Sequence, residues 1–207
     1  MLRDISVVLR PGTPEWPGDT PYACRWTSRV ADGASVNLSA TTASPHVGTH
    51  ADAPLHVKDG APGSGDLPLA PFVGRAVVVT VDAAPADVTI DQIEMRAKRR
   101  RIERLLLRTG RCIADGPFPD DWPALAEECA VALVGRGLRL LGVDAPSVDR
   151  RHSTALRVHH VLFDHGAYVL ENLDLRQVTD GEYELIALPL RVEGLDAAPV
   201  RAVLKPI

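Results

Sequence analysis

The run Ala76–Val81, AVVVTV, constrains the fold most, because six consecutive residues of almost purely β-branched apolar character describe a strand with no solvent-facing side. Such a strand belongs inside a sheet covered on both faces. Two more apolar runs follow, Arg104–Arg108 with LLL between its ends and Leu138–Val143. The segments between them read as helices. Thr89 and Gln92 form a capping-box pair that starts one at about Ile90 and runs it into the basic cluster KRRRIER. A second spans Pro123–Val134, opened by Asp121 and closed by Gly135 or Gly137. Strand alternating with helix predicts an α/β core whose parallel part lies between about residues 76 and 172.

The flanks are less regular. Ile5–Leu9 and Val36–Ala40 read as short strands, a helix is expected from about Thr154 to Gly166, and Tyr168–Leu173 as a strand. Tyr183–Val192 and Val200–Leu204 supply closing strands. A chain of 207 residues, 45% apolar and 24% charged, suits one globular domain, 1–207, with no linker. The net charge of −4 gives no reason to expect nucleic acid, and KRRRIER, short and without interleaved aromatics, reads as a solvated face near a helix end. No apolar run approaches membrane-spanning length, and MLRDISVVLRPGTP lacks the apolar centre of a signal peptide. A soluble, cytoplasmic protein is expected. Cys24, Cys112 and Cys129, odd in number and far apart, fit free thiols in a reducing compartment and are not expected as ligands.

Chemistry concentrates in Ser44–His56, SPHVGTHADAPLH, which holds three of the seven histidines. His46, His50, Asp52 and His56 all fall on even positions, so an extended or gently looping backbone sends them to one side. Pro45, Gly48 and Pro54 argue against a helix. Imidazole nitrogen and carboxylate oxygen are usual donors to zinc and its neighbours, so the stretch reads as half of a metal site. Satisfied core histidines or a turn-making aspartate are the plain alternative, but each such group, buried without an ion, needs its own partner.

Candidates for the other half lie far along the chain. Val143–Asp149, VDAPSVD, ends a strand in a loop where open α/β sheets commonly place site residues. His159 and His160 sit near the middle of a predicted helix, and Glu171 interrupts an apolar strand, where a carboxylate is costly unless it is paired or ligates an ion. Two metals held by His46, His50, His159 and the shared carboxylates Asp52 and Glu171 would leave His56 as a free acid/base. Trp16, in the turn-rich PEWPGDTP, is presented either to a ligand or to the core as a lid.

The pattern His46-x-Gly48-Thr49-His50-x-Asp52-x-Pro54-x-His56 resembles the signature of the metal-dependent cyclase-like hydrolases. More narrowly, DIS with TPEWPGDTP, RTG at Arg108, GVDAPSVD, HHVLF followed by LENL, and YELIALPLRVEGLDAAPVRAVL are similar to the bacterial kynurenine formamidases, or arylformamidases. That resemblance, over essentially the full length, implies the compact swivelling β/β/α architecture, a homodimer and two zinc ions. It implies His46 and His50 as ligands of the first ion, Asp52 and Glu171 as bridging carboxylates and His159, rather than His160, as the second ion's histidine. It implies His56 as the catalytic histidine and Trp16 as the aromatic that meets the substrate ring. Phe163 departs from the family's leucine in that segment. The implied reaction is metal-dependent hydrolysis of N-formyl-L-kynurenine to L-kynurenine and formate, a step of tryptophan catabolism. Rivals are a related hydrolase of a cyclic amide such as isatin, and a non-catalytic metal-binding protein. Three histidines with two carboxylates accept manganese or cobalt as well as zinc.

Overall fold

A computed structural model describes residues 1–81, 87–98, 100–114 and 116–207. All of the AVVVTV run but Val81 lies in a longer strand, β5, and the elements in chain order are β1 (Arg3–Asp4), β2 (Ala23–Ser28), β3 (Leu38–Thr42), β4 (His50–Asp52), β5 (Val73–Thr80), α1 (Ile90–Ala97), β6 (Arg104–Arg108), α2 (Glu127–Gly135), β7 (Leu140–Val143), α3 (Arg157–Asp164), β8 (Tyr168–Glu171), β9 (Gly181–Ile186), β10 (Ala197–Pro199) and β11 (Val203–Pro206). Nine strands form one sheet in the order β1-β11-β9-β5-β6-β7-β8-β4-β10. From β5 to β8 the pairs are parallel; the pairs at either wing are antiparallel. The parallel core therefore falls within the predicted span.

Strand periodicity explains the two cores. Val77, Val79, Leu105, Leu107, Leu141, Val143 and Val169 face the helices, with Ile93, Ala130, Leu133 and Leu162 packed over them. Their neighbours Ala76, Val78, Leu106, Leu140 and Leu170 face the other way, onto Ile5, Phe72, Leu173, Tyr183, Leu185 and Leu204. Helices thus cover one face, while loops and the antiparallel wing of the curled sheet close the other.

Helix boundaries differ from expectation in instructive ways. α1 begins at Ile90 behind the capping box: the Thr89 amide donates to Gln92 Oε1 at 3.0 Å and the Gln92 amide to Thr89 Oγ1 at 3.5 Å. It stops at Ala97, because Lys98 turns left-handed at φ 52°, so KRRRIER lies beyond the helix. Arg99 of that cluster lies outside the described residues. Arg104 is not solvated: it is buried, its Nε and Nη2 donating to the carbonyls of Pro71 and Ala70, each at 2.7 Å. α2 starts four residues later than the composition of 123–134 suggests. Residues 124–126 stay extended because Val88 and Leu125 exchange strand-like bonds (Val88 N to Ala124 O, 2.8 Å; Ala126 N to Val88 O, 3.1 Å) and Leu125 N reaches Val148 O. α3 likewise starts at Arg157, after Leu156 at φ 42°. Of the strand expected over 5–9 an isolated bridge from Ser6 to Leu173 is what forms, and the strand pairing falls instead on Arg3–Asp4.

Candidate active site

The signature histidines and acids collect where β4 lies between β8 and β10. Register decides this: His50 is paired with Glu171 and Asp52 with Val169, so His50, Asp52 and Glu171 point to the same side of adjacent strands. The side chains on even positions do converge, but only His50 and Asp52 through strand alternation. His46 arrives on the turn before β4, and His56 on a short 3-10 turn, Pro54–His56, that Pro54 opens and the His56 amide closes onto Ala53 O at 2.9 Å. The small residues of the signature have mechanical reasons. Gly48 adopts φ +74°, and a Cβ there would stand 2.5 Å from Leu9 Cδ2. Thr49 Oγ1 accepts from the Val7 amide at 2.8 Å and donates to Asn172 O at 2.6 Å, tying the N-terminus and the end of β8 to this turn.

At the centre Asp52 is fully buried, with its two oxygens aimed at different imidazoles. Oδ1 lies 3.2 Å from His46 Nδ1 and 3.2 Å from His50 Nε2, and Oδ2 lies 3.2 Å from His159 Nε2. Glu171 straddles in the same way, Oε2 being 3.5 Å from His50 Nε2 and Oε1 3.4 Å from His159 Nε2. His160, half-buried one residue on, is not among these contacts. Two observations fit this donor set to cations. Asp52 Oδ1, though close to two rings, has no hydrogen-bond partner of proper geometry, an orphaned buried oxygen. And His46 Nδ1 faces His50 Nε2 at 3.1 Å, an arrangement that needs a shared proton or a shared ion between the two nitrogens. Among the described residues, His46, His50 and Asp52, and separately Asp52, His159 and Glu171, come close enough to share an ion. No cysteine joins any such group; burial pushes the thiols of Cys112 and Cys129 up to about 11 and about 12.

Two further carboxylates, neither of them a site candidate from the sequence, orient the rings from behind. Asp149, in the VDAPSVD loop, accepts from His159 Nδ1 at 2.7 Å and from the amides of Val158 and His159, each at 3.1 Å, so one side chain both starts α3 and turns the imidazole inward. Asp196, immediately before β10, touches His46 and His56. Its only sequence signal was membership of the GLDAAP segment.

The cluster holds its protons and charges tightly. Burial alone lowers the His50 pKa, but the charges of Asp52 and Glu171 outweigh it and raise it to about 10. Burial likewise opposes protonation of His46, which Asp196 and Asp52 raise to about 9, and of His159, which Asp149, Asp52 and Glu171 hold well above the usual range. Burial also works against the charged form of Asp52, but His50 and its neighbouring imidazoles keep that carboxyl well below its ordinary range. Hydrogen bonds from His46, against burial, and then from His56 lower Asp196 far below it too.

Beside the cluster opens a cavity of about 320 Å³, lined by Trp16, Phe118, His46, His56, His159 and Glu171 among others. Two of its lining residues, Trp16 and Phe118, are aromatic. Trp16, 38% exposed, stands edge-on to Phe118 at 5.5 Å and to Trp122 at 5.7 Å. The two sequence readings of Trp16 therefore merge: it lids an aromatic cluster and borders the cavity.

The model of the Cyclase family matches residues 3–150. The chain belongs to the Cyclase family. This Cyclase-family chain is 43% identical to a kynurenine formamidase of Bordetella avium and 46% identical to one of Salinibacter ruber, each over 99% of the chain and 97% of the relative. Its fold is similar to that of a protein described as a potential metal-dependent hydrolase with cyclase activity, with TM-score 0.83, 26% identity and coverage of 99% and 96% of the two chains. An isatin hydrolase from Labrenzia aggregata shares the fold at TM-score 0.79 and 23% identity, over 99% of this chain and 93% of that one. Among the described residues of this Cyclase member, no helix is long and apolar enough to cross a membrane.

Proposed function

We propose that this chain hydrolyses the formamide of N-formyl-L-kynurenine to L-kynurenine and formate. The observation that carries this reading is the 43–46% identity to kynurenine formamidases along almost every residue, in a chain whose buried carboxylates and imidazoles fit cations. In this reading His46, His50 and Asp52 hold one ion, Asp52, Glu171 and His159 a second, and zinc is the natural occupant of such donors. Bound there, zinc would supply Lewis acidity, lowering the pKa of water to about 7 and polarising a carbonyl oxygen.

The chain's own residues do the rest. A formamide is a weak electrophile and an aniline nitrogen a poor leaving group until it is protonated. His56 lies outside the two fully or largely buried ion-sized groups, shares a third and more exposed one with His46 and Asp196, and borders the cavity. It takes the proton from the attacking water and returns it to the departing nitrogen, a role worth about 10² to 10⁴ in rate. Trp16 and Phe118 receive the aromatic ring and set the formyl carbon toward the cluster. Proteins bearing this fold include isatin hydrolases, so a cyclic amide is the competing substrate class.

The deciding experiment is metal analysis of the purified protein together with turnover of N-formylkynurenine and of isatin side by side, with zinc and then manganese. Faster turnover of the formamide supports the reading. Preference for isatin, or no hydrolysis of either with metals fully loaded, overturns it.

We also propose a homodimer in the cytoplasm. β2 and β3 form a separate two-stranded ribbon whose Trp26 and Leu38 are exposed. A lone ribbon of two strands is marginal in water, and a second copy would cover it. Free cysteines at 24, 112 and 129 suit a reducing compartment. Light scattering of the purified protein should give twice the chain mass.

A further inference from the structure

Asp196 stands at a junction that the proposed mechanism does not yet use. Its backbone carbonyl accepts from the Ala53 amide at 2.9 Å, pinning it beside the residue that follows Asp52. From that fixed point one carboxylate oxygen, Oδ2, meets two rings: His46 Nε2 at 2.9 Å and His56 Nδ1 at 3.0 Å. The two rings lie 4.4 Å apart, centroid to centroid. A carboxylate only accepts hydrogen bonds, so the ring nitrogen facing it on each side is the one that carries a proton. His46 Nδ1 faces Asp52 Oδ1 and His50 Nε2, so with Nε2 held by Asp196 it is Nδ1 that gives up its proton when a cation takes that place. On His56 the contact with Asp196 leaves Nε2 as the nitrogen free to exchange a proton.

We infer that Asp196 is a positioning residue that sets the tautomers of His46 and His56 together, so that a single carboxylate presents one ring's lone pair to the cation cluster and the other's to the cavity. This rests on the functional reading above for the role of His56, but its geometric core does not. Asp149 performs half of the same task behind His159, one carboxylate for one ring; Asp196 serves two. Partners of this kind, standing behind a ligand or a catalytic imidazole, typically change metal affinity or activity by about 10- to 100-fold when removed. His46, His56 and Asp196 are also close enough to hold an ion of their own, which is the competing explanation of their proximity.

The test uses the zinc-loaded protein with ¹⁵N-labelled histidine, and Asp196→Ala with Asp196→Asn as a second variant. The Asp196 side chain is 39% exposed and takes no part in strand pairing, so both should fold. Two-bond proton–nitrogen correlations should show His56, identified by loss of its signals in His56→Ala, protonated at Nδ1 in the native chain and exchanging between tautomers in Asp196→Ala. Zinc affinity, by chelator competition, should fall about 10- to 100-fold in Asp196→Ala and less in Asp196→Asn, which keeps a neutral acceptor. In saturating zinc, kcat should fall by a similar factor with KM within about threefold, and Asp196→Ala placed on His56→Ala should cost no further residual turnover. A native His56 protonated at Nε2, unchanged zinc affinity, a multiplicative loss in the double variant, or loss of a separate third ion on substitution would each overturn the inference. If the native protein fails to hydrolyse N-formylkynurenine while the tautomer and affinity results hold, the functional reading falls and the role of Asp196 stands.

Discussion

His50 and His56 lie six residues apart and face opposite requirements. His50 is buried, its Nδ1 donates to Gly48 O at 2.9 Å, and its Nε2 is committed to the cluster. His56 sits at the cavity wall on a 3-10 turn. Replacement of each by alanine should therefore separate two functions. His56→Ala should keep metal content near native and lose about 10² to 10⁴ in kcat. His50→Ala should lose metal as well as turnover. Metal analysis beside kinetics checks both, and normal turnover by His56→Ala would remove it from the mechanism. Trp16→Ala should raise KM more than it lowers kcat, since it removes one aromatic residue from the cavity lining and leaves the cluster intact; an unchanged KM would return Trp16 to a purely structural place. The ligand-type residues of the 44–56 stretch were legible because their donor chemistry is dense and local. Asp149 and Asp196 were not, because each acts through a ring ten or more than a hundred positions away: nothing in GLDAAP distinguishes an orienting carboxylate from a turn-making one.

At the level of elements, what could be read was what local chemistry determines. The capping box placed the start of α1, and the apolar run between two arginines gave β6 its bounds, because in both cases the decisive contacts are near in sequence. α2 is shorter than its composition suggests because residues 124–126 answer to Val88 and Val148, distant partners whose bonds outweigh helix propensity. Gly142 in β7 shows the same dependence on remote packing. A Cβ there would lie 2.5 Å from Leu106 Cδ2 and 2.8 Å from Leu173 Cδ1, both fully buried in the core on the sheet face away from the helices. Gly142→Ala should destabilise the protein by about 1–3 kcal/mol through overpacking, with β7 and β8 forced apart just below Glu171. Denaturant melts measure the loss; an unchanged midpoint would mean that the two leucines relax at no cost. Because β8 carries Glu171, zinc affinity should weaken in the same variant.

For the whole molecule, the cluster couples folding to metal and to pH with a definite sign. In the metal-free chain His46, at about 9, and His50, at about 10, titrate above the roughly 6.5 of an unfolded histidine, and His159 does so as well. A raised histidine pKa contributes stability that is fully present below about pH 6.5 and is lost as pH climbs through 9 to 10. Asp52, Glu171, Asp149 and Asp196 have lowered values, and their contribution is present above about pH 4 and is lost on acidification. Chelated protein should therefore melt at progressively lower temperature between pH 6.5 and pH 9.5. Zinc reverses the dependence, because it competes with protons for the same imidazole nitrogens and binds more tightly as they leave. The difference in Tm between zinc-loaded and chelated protein should widen steadily across that interval, and zinc added to the metal-free protein at pH 7 should release protons into weakly buffered solution. A Tm difference that stays constant from pH 6.5 to 9.5, with no proton release, would mean that the imidazoles are neutral before metal arrives. The carboxylates would then hold them by hydrogen bonds alone, and the charge-paired centre described for the metal-free chain would be wrong.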